Sequence, residues 1–84
     1  MLKETYRLFK KLQDEIRYNP SIIINLKNEE IYIEVTIFCK NNRLKYSFGK
    51  SFDIYQILNI ANENLLVDQF INDTNYYFDS VYNK

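Results

Sequence analysis

The 84-residue sequence contains no histidine and only one cysteine, one glycine and one proline. Each shortage excludes something. Histidine is the side chain whose ordinary pKa lies near neutrality and the commonest metal ligand, so the usual general base is missing. One cysteine, Cys39, makes neither an intramolecular disulfide nor a zinc site of ordinary spacing. One glycine, Gly49, provides no loop able to wrap a phosphate in backbone N–H groups. These absences read as a non-enzymatic chain with no cofactor and no metal. No stretch approaches the ~20 apolar residues of a membrane span, and Met1-Leu2-Lys3-Glu4 leads straight into a charged amphipathic segment rather than a secretory leader. A lone cysteine suits a reducing compartment. The expectation is a cytoplasmic protein with no membrane partner.

What is present is a core. With 46% hydrophobic and 17% aromatic residues, one domain spanning residues 1–84 can close on itself, although a chain this short buries only about 60–65% of its unfolded surface. The abundance of Asn, Ile, Lys and Tyr is that of an AT-rich coding sequence and points to a low-GC bacterium or its phages. Net charge is zero but unevenly spread. Residues 1–50 hold ten Lys or Arg against six Asp or Glu, and residues 51–84 hold one lysine against five acids. Such a split gives opposite electrostatic faces, which steer partners.

The hydrophobic pattern predicts a helix, three strands and further helix. Leu2, Tyr6, Phe9, Leu12 and Ile16 recur at helical spacing over Leu2–Arg17, with Lys3, Arg7, Lys10 and Arg17 as a basic flank. Asn19-Pro20 ends this helix. A period of two follows over Ile22–Leu26, Ile31–Lys40 and Arg43–Phe48. Two-residue turns at Asn28-Glu29 and Asn41-Asn42 would pair Ile24 with Ile33, Ile22 with Val35, Cys39 with Leu44, Ile37 with Tyr46, Val35 with Phe48 and Lys40 with Arg43. Both turns independently put the apolar residues on one face, and a slip of one residue in either would undo this. Asp53 as N-cap with Gln56, and Phe52 with Ile57 as a staple, open a helix over about 54–62. Its inner stripe is Ile54, Ile57, Leu58, Ala61 and Leu65. A second helix over about 66–80 carries Leu66, Phe70, Tyr77 and Val81, the break falling at Asn62-Glu63-Asn64. The fold class expected is α+β, a three-stranded antiparallel meander with helices packed on one face.

Candidate chemistry is sparse. Cys39 falls on the inward face of the central strand and reads as a small buried hydrophobe. Asp14-Glu15 and Glu29-Glu30 do not converge, and Asp68, Asn72 and Asp79 along one helix do not form a divalent-cation loop. Binding surfaces are better represented. The outward sheet face presents Ile23, Tyr32 and Phe38 among Asn25, Glu34, Thr36, Arg43 and Lys45. In the stretch Asn75–Tyr82, Tyr77 and Val81 have a core role, whereas Tyr76, Phe78 and Tyr82 have none evident. Aromatics beside carboxylates are the composition of interface anchors.

Two resemblances follow from these residues. The order helix, three antiparallel strands, helix resembles the double-stranded-RNA-binding domain, and Gly49-Lys50-Ser51 ahead of a helix that runs to Ala61…Leu65-Leu66 looks like that family's passage into its last helix. That family grips RNA phosphates with a lysine-rich helix start; here Phe52-Asp53-Ile54 puts an anion at that place. The elements Leu2–Arg17, Ile22–Leu26, Ile31–Lys40, Arg43–Phe48 and the helical stretch from Asp53 also resemble small phage-encoded inhibitors of the anti-CRISPR kind. This second resemblance implies an inert chain that occupies the nucleic-acid groove of a host defence nuclease. Asp68, Asp73 and Asp79 would then meet the basic groove, and Tyr76, Tyr77 and Tyr82 would anchor the contact. Two alternatives stand beside it. One is an RNA-binding module using Lys40, Asn41, Asn42, Arg43 and Lys45; the other is a structural homodimer.

Overall fold

The computed structural model describes residues 3–57 and 65–82. Their order is α1 (Lys3–Glu15), β1 (Ser21–Lys27), β2 (Glu30–Cys39), β3 (Leu44–Asp53), α2 (Ile54–Ile57) and α3 (Leu65–Tyr82). The strands form one antiparallel sheet in the order β1-β2-β3. This is the α+β meander expected from the alternating pattern.

Register follows the hydrophobic alternation. Ile22 pairs with Val35, Ile24 with Ile33 and Leu26 with Ile31. Cys39 pairs with Leu44, Ile37 with Tyr46 and Val35 with Phe48. Along β2, Ile31, Ile33, Val35, Ile37 and Cys39 are all buried, while Tyr32, Glu34, Thr36 and Phe38 point to the other face. Asn28 has φ 57° and is the only positive-φ residue of the first turn, the sign pattern of a II′ hairpin turn.

The second turn differs from expectation. Lys40 and Arg43 do not pair in the ladder; they belong to a four-residue loop closed by the Arg43 N–H donating to the Cys39 carbonyl at 2.8 Å. Arg43, at φ 58°, supplies the left-handed residue rather than either asparagine. Asn42 instead uses its side chain, with Oδ1 accepting the Leu44 N–H at 3.0 Å. This Asx-type contact does the local turning that a left-handed asparagine would otherwise do.

β3 also runs past Phe48, where the strand was expected to end, to Asp53, pairing Phe52 with Ile31 and Asp53 with Glu30. Gly49 does not interrupt it because the Tyr32 ring lies over the glycine; a Cβ at Gly49 would overlap the Tyr32 hydroxyl and approach its Cζ to 2.9 Å. An aromatic ring laid over a strand glycine restores the packing the missing side chain forgoes. The Asp53 cap is present, with Oδ1 accepting the Tyr55 N–H at 2.8 Å, and both staple residues, Phe52 and Ile57, are buried. Leu58, Ala61 and the expected break at Asn62–Asn64 lie outside the described residues.

Both long helices pack on the Ile31–Cys39 face, with different stripes from those expected. In α1 the buried side chains are Thr5, Leu8 and Leu12, continued by Ile16 after the helix end, while Tyr6 is exposed and Phe9 half-buried. The stripes Tyr6-Phe9-Leu12-Ile16 and Thr5-Leu8-Leu12-Ile16 share two positions and both advance by three or four residues, so helical periodicity does not choose between them. Packing turns the compact leucine to the sheet and leaves the rings at the flank. In α3, Val67, Phe70, Ile71, Thr74, Phe78 and Val81 are buried, whereas Leu65 and Leu66 are exposed. Phe78, without an evident core role in the sequence, is fully buried at the centre of the core. Thr74 is satisfied internally, its hydroxyl donating to the Phe70 carbonyl at 2.7 Å. Tyr77 lies across β3, its ring 6.4 Å from Tyr46 and 5.8 Å from Phe48.

Candidate functional site

The densest polar constellation lies where α1 ends against α3. The last turn of α1 leaves carbonyls and a following amide that need partners. Asn75, buried in the middle of α3, supplies both: its Nδ2 donates to the Glu15 carbonyl at 3.0 Å and its Oδ1 accepts the Arg17 N–H at 2.9 Å. The chain then turns sharply through Tyr18 (φ 74°) and Asn19 (φ 51°), a conformation uncommon for any side chain and least for a bulky one. One turn along α3 from Asn75, Asp79 holds this corner. Its Oδ2 accepts from Arg17 Nη2 at 2.6 Å, and its Oδ1 accepts from Arg17 Nε at 3.3 Å and from the Tyr18 hydroxyl at 2.6 Å. Tyr82, a further turn on, stacks against Tyr18 with centroids 4.1 Å apart and planes at 20°. The donors hold the Asp79 carboxyl below the ordinary carboxylate value, Arg17 first and Tyr18 second, against a smaller opposing cost of desolvation. The carboxylate in turn raises the Tyr18 phenol and the Arg17 guanidinium.

Asp68, three turns earlier on the same face, makes an ion pair with Lys11 at 3.2 Å, and Lys11 also reaches Glu15 at 2.9 Å. Glu15 first, then Asp68, raises the Lys11 pKa against a lowering by partial burial. The contacts Lys11–Asp68, Glu15–Asn75, Arg17–Asp79 and Tyr18–Tyr82 climb together, so α1 with the turn after it runs in the same direction as α3. Their opposite charges meet each other.

At this corner a cleft of about 450 Å³ opens between Tyr18, Asn19, Phe38, Lys40 and Tyr82. Beside it stand the loop that closes β2 to β3 and the first residues of β3, with Lys40, Asn41, Asn42, Arg43 and Lys45 exposed. Among the described residues none of these three cations is in an ion pair. Asn42 Nδ2 donates to the Tyr46 hydroxyl at 3.3 Å.

Among the described residues no helix packs on the sheet's second face. Ile23, Tyr32 and Phe38 stand there half-exposed, with Thr36 and Ser47 joined through their hydroxyls at 2.7 Å. Its two ends differ in charge. Glu29, Glu30 and Asp53 gather at the β1–β2 turn, around an open hollow of about 1000 Å³ completed by Lys27 and Asn28. Lys40, Arg43 and Lys45 stand at the opposite end, about 30 Å away by strand rise. Among the described residues no His, Cys, Asp or Glu are grouped to hold a metal ion, and no helix is long and apolar enough to cross a membrane.

The structure thus divides the expected site residues. Asp68 is held by Lys11 of α1 and Asp79 by Arg17 and Tyr18 just beyond it, Tyr82 is stacked on Tyr18, and Tyr77 is packed on β3. Asp73 and Tyr76 alone stand free on the exposed ridge of α3, the tyrosine 79% exposed. The corner joins members of both expected sets, Asp79 and Tyr82 with Lys40. Tyr18, Asn19 and Asn75 were not anticipated there. The spacing of Asp68, Asn75, Asp79 and Tyr82, at seven, four and three, carries the signal: a polar stripe beside an apolar one, aimed at something charged. The chain matches no protein-family model, and neither the curated proteins nor the solved structures give a match to it.

Proposed function

We propose that this chain is a non-catalytic inhibitor or modulator that binds another protein in the cytoplasm of a bacterial host, as phage- and mobile-element-encoded inhibitors do. The observation that carries this reading is the face of the sheet that no described helix covers, where half-exposed Tyr32 and Ile23 lie toward an end rich in carboxylates and Phe38 lies toward the other end. Half-exposed aromatics with a charged margin have the composition of an interface core and rim. Charge complementarity favours one occupant, the basic groove of a nucleic-acid-binding protein such as a host nuclease. Glu29, Glu30 and Glu34 meet that groove, because Asp68 and Asp79 of α3 are engaged with Lys11 and Arg17.

The test is capture by the tagged protein from a nuclease-treated lysate of a low-GC bacterium, followed by binding measurements with the purified target. A single stoichiometric nucleic-acid-binding protein is expected. Its affinity should fall at least about tenfold with the triple variant Ile23→Ser, Glu29→Lys, Glu30→Lys and stay unchanged with Asp73→Lys, Tyr76→Ala. The reverse ranking returns the interface to α3. Recovery that disappears on nuclease treatment favours the RNA-binding alternative through Lys40, Arg43 and Lys45, which are exposed and unpaired among the described residues.

A further inference from the structure

We propose that the cleft between Tyr18, Asn19, Phe38, Lys40 and Tyr82 binds a nucleotide unit, with the base against the aromatic rings and the phosphate on Lys40. This inference is tested separately from the protein-binding reading, since Ile23, Glu29 and Glu30, whose substitution tests that reading, are not among the residues of the cleft. Four observations converge on the cleft.

Its volume, about 450 Å³, lies within the roughly 300–1,000 Å³ of small-ligand sites. Three of its five lining residues are aromatic, and planar rings are the surface on which a base of any identity stacks. The wall is built in advance: the Tyr18 hydroxyl is tied to Asp79 at 2.6 Å and its ring is stacked on Tyr82 at 4.1 Å, so little ordering is left for binding to cost. The two consecutive left-handed residues, Tyr18 and Asn19, are a local strain of the sort found at ligand clamps, held here by Asn75 and Asp79.

Charge selects the anion. Lys40 lines the cleft, Arg43 follows it in the same loop and Lys45 at the start of β3, and no carboxylate pairs with any of them among the described residues. Unpaired cations beside aromatic rings are the pattern for a phosphate joined to a base. Asn19 adds an amide that both donates and accepts, which suits a base edge. The unit could be a free nucleotide or one residue of a single strand. In the second case Arg43 and Lys45 continue the phosphate path.

The test is a 15N NMR titration of the whole protein with adenosine monophosphate, with a single-stranded octamer of adenosine, and with benzoate. Shifts centred on Tyr18, Asn19, Phe38, Lys40 and Tyr82 are expected with the first two probes, extending to Arg43 and Lys45 with the octamer if a strand is bound, and not with benzoate. Phe38→Ala should weaken binding about tenfold. Lys40→Gln should flatten the salt dependence of octamer binding by about 0.7 in log–log slope, the contribution of one phosphate contact. Equal affinity per site for the two probes identifies a free-nucleotide site; an octamer bound more than tenfold tighter identifies a strand. Phe38→Leu keeps the apolar bulk without the ring, so it separates stacking from any folding defect. The proposal is overturned by equal shifts with benzoate, by shifts that map elsewhere, by no response at millimolar probe, or by unchanged affinity in both Phe38 variants.

Discussion

Asp79 accepts three hydrogen bonds from two consecutive residues that lie 61 and 62 positions earlier in the chain. Because Arg17 and Tyr18 favour its charged form, its folded-state pKa lies below the unfolded value. The folded state therefore holds on to fewer protons than the unfolded state at intermediate pH, and stability rises with pH across that interval. The contribution is fully present above the ordinary carboxylate value and is lost as pH falls through the depressed one. Replacing Asp79→Asn should accordingly lower stability at neutral pH, with the difference from the wild type shrinking steadily in strongly acid solution. Urea unfolding of both proteins from neutral pH to about pH 2 measures this. A difference that stays constant with pH would mean that shape, rather than charge, holds the corner.

At the scale of elements, β3 depends on a side chain from its neighbour. Tyr32 covers Gly49 from the diagonal position on β2, so the two substitutions Gly49→Ala and Tyr32→Ala should not be additive. A methyl at Gly49 displaces the ring, which is 37% exposed and free to swing outward. The cost should be about 0.5–1 kcal/mol, the size of a cross-strand pair. In the Tyr32→Ala background the same substitution should be neutral or stabilising, since alanine restricts the unfolded chain more than glycine does. Thermal unfolding of the four proteins closes this cycle. The strand register was legible in the sequence because two turns demanded one alternation and left no second solution. The length of β3 was not, because Gly49 looks like punctuation until Tyr32 is placed over it. The helix stripes were half legible. Leu12, Phe70 and Val81 fit any reading, whereas Leu8 against Phe9 is a choice made by the shape of the sheet below. The acidic residues of α3 were legible as a group, but their partners were not. A charge imbalance between two halves of a chain looks the same whether it is turned outward or closed on itself.

For the whole molecule, one continuous core joins α1, the sheet and α3, and Phe78 is buried within it without exposed surface. A domain of this length has a total stability of roughly 4–13 kcal/mol. Truncating a buried phenylalanine costs about 3–5 kcal/mol through lost transfer energy and the cavity left behind. Phe78→Ala should therefore leave a large unfolded fraction at 37 °C, seen as lost amide dispersion and a midpoint shifted by 10 °C or more, at about 4–8 °C per kcal/mol. Tyr76→Ala, two residues away and 79% exposed, should leave the midpoint within about 2 °C, as surface substitutions usually do.

The Asn75 clamp also has a temporal side. During synthesis, residues 3–17 leave the ribosome long before Asn75, Asp79 and Tyr82 exist. Until then the end of α1 has open carbonyls and no stacking partner for Tyr18, and an isolated helix of that length is marginal in water. Native α1 therefore has to await completion of α3, and early and late segments acquire order together. Fragments ending before α3 would be substrates for chaperones and proteases rather than folding intermediates of useful lifetime. Quality control of this protein is thus built into the distance along the chain between a helix and the residue that finishes it.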